Sequence, residues 1–546
     1  MDFSVKRLDH LGIIAGIMKE LKFVETVDEL LVADKQNEVT PGEAVTAMIL
    51  NGLGFVSRPT TLTPQFFETK PMNVLIRSDI REEQLNRHKL GRVLDAIYSH
   101  GCEKFFNHIA LQVCVSEKID LSKVFCDTTT FEVEGNYENQ EEEAIVQIKH
   151  GYSKAKRPDL KQIMLELCTS SDGGAPFAMK PWSGNSSDNK IFKTRVEALR
   201  EAARASNSGR TIIADSKLYT EENVKALGEV YFITRVPASI KQEGNCITQA
   251  LESNDWTVIN DDYKFKSFDL KLYGTQQRWV VYHSKQAFHR VEKTFAKKLQ
   301  KLEEELKKDL SQLQKKPFSC INDAKAALVA IAKKYKFHSI AENSIVTIEK
   351  YEGPGRPVAG AGKHINHYEI TASYGIREDK IKEAIDHASC FVLATNIPLE
   401  ELASADVIKE YKKLDFVEKS FAFLKTPEFF TDAFYIKSVG RIQAMLVIMT
   451  LSLLIYTVAQ RRMRQHLENA KMTFPNQINQ PSKRPTLRWL FQCLEGIHVV
   501  RMIATAVPID TVITGMTDLR KRILSCFGEF VIKIYNINQE EQCLSS

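Results

Sequence analysis

The chain has 546 residues, more than one hydrophobic core usually serves, and its length suggests three or four units. Its 43% hydrophobic content is that of an ordinary soluble protein, and a formal charge of +5 from 74 basic and 69 acidic side chains is too small to announce nucleic acid by bulk charge. The ten cysteines form no Cys-x-x-Cys pair and no zinc-finger spacing, so they read as reduced core thiols of a cytosolic protein, and Asp2, Lys6, Arg7, Asp9 and Lys19 interrupt any signal-peptide core before Leu21.

Residues 1–117 read as a helical domain. Thr40-Pro41-Gly42-Glu43 is a capping box with proline at the first helical position, followed by Ala44, Val45, Met48 and Ile49 at helical spacing. Further helices are predicted near Leu90–Ser99 and Glu103–Val113. Such a domain serves DNA-end recognition or dimerisation, and nothing in its pattern separates the two.

Residues 118–237 change period. Strands are predicted around Asp127, from Leu160 to Thr169 and from Ala175 to Pro181, then an amphipathic helix near Asp188 to Ser206. A strand closing on Asp215, a helix at Glu221–Leu227 and a strand at Val230–Val236 follow. Three strands, helix, strand, helix, strand is compatible with a ribonuclease H-like sheet.

Residues 238–389 exceed any connecting loop and are expected to form an inserted domain. It holds the strand-like run Arg278–Tyr282 and a long helix ending at Lys316 before Pro317, with an apolar stripe from Phe288 through Leu313. A helix at Ile321–Lys334 and strands at Ser344–Lys350 and His367–Ser373 come next. The glycine-rich segment 353–362 lacks the Gly-Lys-Ser/Thr ending of a phosphate loop. His364 and His367, three apart on a strand, point to opposite faces and make no metal site. Trp256 and Trp279 either pack in the core or stack on an unpaired base.

Residues 390–475 are expected to return to the sheet through Cys390–Asn396 and to continue into a helix from Tyr411 to Lys425. The apolar run Ala444–Ala459 is sixteen residues long, short for a bilayer, and reads as a core helix rather than a membrane span. Residues 476–546 are expected to be helical, with one helix within Pro485–Leu494.

Candidate chemistry starts from two strands that end in carboxylates, Asp127 and Asp215. A buried ionised acid needs a partner, either a hydrogen-bonded structural site or a cation. At helical spacing Tyr411, Leu414, Glu418 and Lys425 share one face, which offers a third acid. Two basic clusters accompany them. Lys149, His150, Lys154, Lys156, Arg157 and Lys161 surround Tyr152; Arg461, Arg462, Arg464, Lys483 and Arg484 lie near the C-terminus. Each reads either as a solvated surface or as a phosphate contact.

With Tyr411, Glu418 and Lys425 in place, the helix resembles the Y-(2)-R-(3)-E-(6)-K signature of cut-and-paste insertion-sequence DDE transposases, the insertion-sequence-four-like superfamily, except that Leu414 stands at the arginine position. Leu90–Tyr98, Asp127-Thr128-Thr129, His150–Lys154 with Arg157–Gln162, Gly184–Asp188 and Arg484–Leu490 resemble the same group, and Ser216-Lys217 stands where relatives more often carry Arg-Gly. The resemblance implies an α/β fold with a ribonuclease H-like mixed sheet, a large α+β insertion before the last catalytic helix, and helical flanks. It implies Asp127, Asp215 and Glu418 as catalytic ligands of two Mg²⁺ or Mn²⁺ ions, and Tyr411, Lys425, Lys154, Arg157 and Lys161 as DNA contacts. The implied partners are double-stranded terminal inverted repeats, target DNA and a second copy of the chain, with no membrane, in a prokaryotic cytoplasm. A descendant that binds DNA without cutting it is the alternative.

Overall fold

The computed structural model describes residues 2–32, 38–56, 59–137, 145–153, 157–186, 191, 193–197, 211–253, 255–352, 363–426, 436–504 and 507–536. The chain divides into two compact units, Met1–Thr234 with Lys409–Ser546, and Arg235–Ile408. The helix expected near 188–206 and the glycine-rich segment 353–362 lie largely or wholly outside the described residues.

The first unit opens with a strand, β1 (Asp2–Arg7), not with a helix. Helices follow at Leu11–Glu20, Phe23–Leu30, Pro41–Leu53, Arg87–His100 and Cys102–Ser116. The capping box is present as read: Thr40 accepts from the Glu43 N–H at 3.2 Å and the Glu43 carboxylate accepts from the Thr40 N–H at 2.8 Å.

The sheet of this unit is built from β2 (Lys123–Val133), β3 (Lys161–Ser170), β4 (Pro176–Ser183), β5 (Thr211–Ala214) and β6 (Tyr231–Arg235), in the order β4-β3-β2-β5-β6. β2, β3 and β4 are antiparallel, whereas β2, β5 and β6 run parallel. It is a mixed sheet, and the parallel strands read as continuous β-branched and apolar runs because both faces are covered.

A helix from Val439 to Asn469 forms the core of the unit. From Ile442 to Ala459 every residue except Tyr456 is buried, against the helices Leu11–Glu20, Pro41–Leu53, Arg87–His100 and Cys102–Ser116 and against β4. Its polar residues are satisfied inside the helix: Thr450 donates to the Leu446 carbonyl at 2.7 Å and Ser452 to that of Ile448 at 2.8 Å. The surrounding helices and β4 enclose the apolar run, and 94% of an 18-residue window along this helix is buried.

The expectation of a purely helical C-terminal region is corrected. His498–Ala504 and Val507–Thr514 form a hairpin that pairs with β1 in a three-stranded sheet, Asp2 opposite Ile503 and Arg7 opposite His498. The β-branched run Val499-Val500 and its neighbours favour strand, and the partner strand lies some 500 residues away in sequence, where no local pattern shows it.

The second unit contains Thr257–Val258, Tyr263–Leu272, Thr275–Ser284 and Cys390–Thr395 as adjacent strands, and a hairpin of His338–Glu352 with Lys363–Ile376. The expected insertion, 238–389, falls inside this unit, and so does the strand Cys390–Thr395, which pairs with Thr275–Ser284. Trp279 is fully buried and its indole N–H donates to Gln277, so it packs the core and is not open to a base. The long helix, Lys285–Lys315, buries only Leu306 and Leu313 of its apolar stripe; Leu313 joins a small core with Phe318, Ala324, Leu328 and Ile370.

Candidate active site and basic cleft

β2 is buried from Val124 to Phe131 with one interruption, Asp127, which is half-buried. On a strand covered on both faces, that interruption marks an opening in the cover. Phe125 pairs with Ile213 in the parallel ladder between β2 and β5. Asp127 stands two residues past Phe125 within β2, and Asp215 follows directly on Ala214, the last residue of β5, so both acids lie toward the same end of two adjacent parallel strands. Asp127 accepts from the Thr128 N–H at 2.7 Å, and Asp215 accepts from the Lys217 N–H at 3.0 Å while its own carbonyl is held by the Thr234 hydroxyl at 2.8 Å.

The predicted helix Tyr411–Lys425 is two helices. Ser404–Lys412 carries Tyr411, and Asp415–Leu424 carries Glu418, with Lys425 as its C-cap. Between them the Leu414 and Phe416 N–H groups reach back three residues, to Tyr411 and Lys413, which tightens the backbone into turns. Leu414 is buried at this break, so an arginine there would have to leave the core. Lys123 of β2 pairs with Glu410 at 3.0 Å, as does Lys413, and these contacts fix the break beside the start of β2.

Two contacts pin the Glu418 helix along β2. Phe416 packs on Phe125 with ring centres 6.4 Å apart, and the Lys425 ammonium stands 5.6 Å from the Phe131 ring. Phe125, Asp127 and Phe131 lie on the same face of the strand. Asp127 and Glu418 therefore both lie between the two contacts. Val417, Ser420, Phe421 and Leu424 face inward, while Glu418 is exposed. Among the described residues no group of three or more His, Cys, Asp or Glu side chains converges closely enough to hold a metal ion. The donor chemistry of Asp127 and Asp215 suits a hard cation, but a closed three-acid centre is not present in this arrangement.

The basic residues separate into those that are spent and those that are not. Arg157 is exposed and forms a two-pronged pair with Asp159, at 2.9 and 2.7 Å. Lys161 donates to the Asn136 carbonyl, and Lys154 lies outside the described residues. The segments His150-Gly151-Tyr152 and Gly184 meet through Gln162, whose amide donates to the carbonyls of Tyr152 and Gly184 at 3.3 and 2.7 Å. A Cβ on Gly151 would stand 2.1 Å from the Gly184 oxygen, so this glycine serves a close backbone approach rather than a phosphate.

Arg461 holds Asp172 at 2.6 Å and 2.9 Å, and Arg462 holds Glu117 and Glu20, so both are structural. Arg464 is different: its Nε is buried without a hydrogen-bond partner among the described residues. Burial and the nearby Arg484 charge lower the pKa of its guanidinium. It lines a cleft of about 550 Å³ together with Lys471, Lys483 and Arg484.

Sequence reasoning also missed Glu166, which is 2% exposed and accepts from Arg195 Nε at 2.6 Å and from the Trp182 indole at 2.9 Å. Its only sequence signal is a lone acid in an apolar run, the same signal that Asp127 gives.

Residues 3–111 match a family described as a domain of unknown function, DUF4277. No curated protein matches the chain. Among solved structures it is similar to a cryo-EM structure of the piggyBac transposase synaptic complex with hairpin DNA, at 10% identity and a TM-score of 0.38, over 90% of this chain and 82% of that one.

Proposed function

We propose that the chain is a DDE-type DNA transposase, cleaving strands at the ends of a mobile element and joining them to target DNA in a prokaryotic cytoplasm. The observation that carries this is that Asp127, within β2, and Asp215, directly after the end of β5, lie toward the same end of adjacent parallel strands, with the Glu418 helix packed along β2. The sheet order, three antiparallel strands followed by two parallel ones on the far side of the first, supports a ribonuclease H-like reading of the fold. Asp127 and Asp215 are the first ligands, and Glu418 completes the set when DNA and ions enter. Two divalent Mg²⁺ or Mn²⁺ ions, when bound, activate an attacking oxygen and stabilise the leaving one. Tyr411, Lys425, Lys154, Arg157 and Lys161 contact backbone phosphates and position the strand, Arg157 exchanging Asp159 for a phosphate. Work on two DNA ends implies a homodimer in the DNA complex.

The test uses the full chain and a plasmid carrying the DNA that borders its own coding sequence, with Mg²⁺. Wild type cleaves at the borders, while Asp127→Asn, Asp215→Asn and Glu418→Gln bind but do not cleave. Cleavage that survives all three changes overturns the assignment. A second reading, a DNA-binding descendant without cleavage, is favoured by the absence of a closed three-acid group among the described residues. Wild type that binds the borders and leaves them intact with either cation decides for it.

A further inference from the structure

Cationic side chains outnumber acids in the lining of the cleft beside the core helix. The core helix runs on past its buried stretch to Asn469 and presents Arg464, with Lys471 just beyond its end. Opposite, the short pairing of Phe474–Pro475 with Pro481–Ser482 turns the chain back and delivers Lys483 and Arg484 to the same cleft. The Arg484 N–H is held by the Ser482 hydroxyl at 3.2 Å, and beyond it Thr486 caps the next helix at the Trp489 N–H and the Trp489 indole donates to the Pro475 carbonyl at 2.7 Å, so the turn has a fixed shape.

Five cationic side chains thus line one opening. Arg461 is taken by Asp172 on the same wall, and among the described residues none of the other four forms an ion pair. Glu468 stands exposed on the rim and pairs with none of the four. Like charges held together without a counter-ion repel, and a bound anion relieves that repulsion. Phe416 lines the cleft as well, two residues before Glu418 on the same helix.

We infer that this cleft binds a phosphodiester of a DNA strand whose neighbouring nucleotides pass over the Glu418 helix, with Arg464 as the inner contact and Lys483 and Arg484 as the outer ones. The inference rests on the reading of the chain as a DNA-processing protein and adds a site to it. A strand is favoured over a free phosphate because Phe416, on the Glu418 helix, forms part of the cleft's lining.

The experiment measures binding of a short labelled duplex to the full chain as a function of salt. Each phosphate contact contributes a slope of about 0.9 in log affinity against log salt. Lys483→Gln with Arg484→Gln, both exposed and therefore harmless to folding, should lower the slope by about two and weaken binding at about 0.1 M salt by tens-fold. Lys293→Gln, an exposed charge in the other unit, should leave the slope unchanged. A double variant with the wild-type slope overturns the site. So does thermal stabilisation by inorganic pyrophosphate that the double variant loses while its DNA slope stays at the wild-type value, since the cleft then takes a free phosphate. Wild type that binds no DNA at all sinks the transposase reading instead, which keeps the two failures apart.

Discussion

Glu166 and Asp127 stand on neighbouring strands one residue out of step, Thr128 opposite Glu166 and Asp127 opposite Leu167, so they face opposite sides of one sheet. Glu166 is enclosed and held by Arg195 and Trp182; Asp127 is a half-buried break in the buried run Val124–Phe131, and a second acid follows the end of the adjacent strand. The same residue class in the same kind of strand is a structural ion pair on one face and a candidate reaction centre on the other. What separates them is the enclosure and the neighbouring group, not the strand.

The sharpest way to break this contrast is to neutralise each acid and read both activity and stability. Asp127→Asn should reduce border cleavage by a thousandfold or more, about 4 kcal/mol of transition-state stabilisation, with a melting temperature near wild type. Glu166→Ala should do the reverse on stability: it leaves the buried Arg195 with only the longer 3.8 Å pair to Glu103 and the Trp182 indole without its acceptor, and destabilises the fold by about 2–4 kcal/mol, measured by denaturant unfolding. Equal stability losses for the two variants would erase the distinction.

His10 extends the comparison to a buried base. It stacks on Phe491 at 4.3 Å and its Nε2 is 2.8 Å from the Leu53 carbonyl, and burial pushes its pKa down from 6.5 to about 4. Above pH 6.5 neither state of the chain takes the proton and the contribution to stability is whole. As pH falls from 6.5 to about 4 the unfolded chain takes up a proton that the folded one refuses, so stability should drop by about 3 kcal/mol across that window. A His10→Gln variant should lack that part of the slope in unfolding measured against pH.

Two smaller effects sharpen the account of the helix and of the cleft. Leu414→Arg, which restores the expected signature residue, should destabilise by about 1–3 kcal/mol because the position is buried. If the variant is as stable as wild type and cleaves faster, the arginine has found a route out of the core. Arg484→Gln should change stability by less than about 0.5 kcal/mol, whereas Arg461→Gln, which strips Asp172 of its partner, should cost about 1–3 kcal/mol.

Much of the fold was legible because its signals are local. The strand bearing Asp127, the strand leading to Asp215, the helix at Glu221–Leu227 and the buried helix around Ala444–Ala459 follow from period and capping alone. The helix from Tyr411 to Lys425 was misread because its spacing is helical throughout, while the turn at Lys413-Leu414 is set by burial of Leu414 and by the Lys123–Glu410 pair, both tertiary. The pairing of β1 with His498–Ala504 was invisible for the same reason. For the site, the sequence offered acids and basic clusters but not their partners. Arg461 and Arg464, three residues apart, look alike in sequence and differ because Asp172 reaches only the first.

The central claim is that Asp127 and Asp215 grip a divalent cation and that Glu418 joins them. Diffraction from crystals of the full chain with DNA and Mn²⁺, recorded at the manganese edge, tests it directly. An anomalous peak about 2.2 Å from carboxylate oxygens of both aspartates, with Glu418 at a second peak or the same one, is the predicted result. Well-ordered crystals with DNA bound, manganese elsewhere and both aspartates without metal would contradict it.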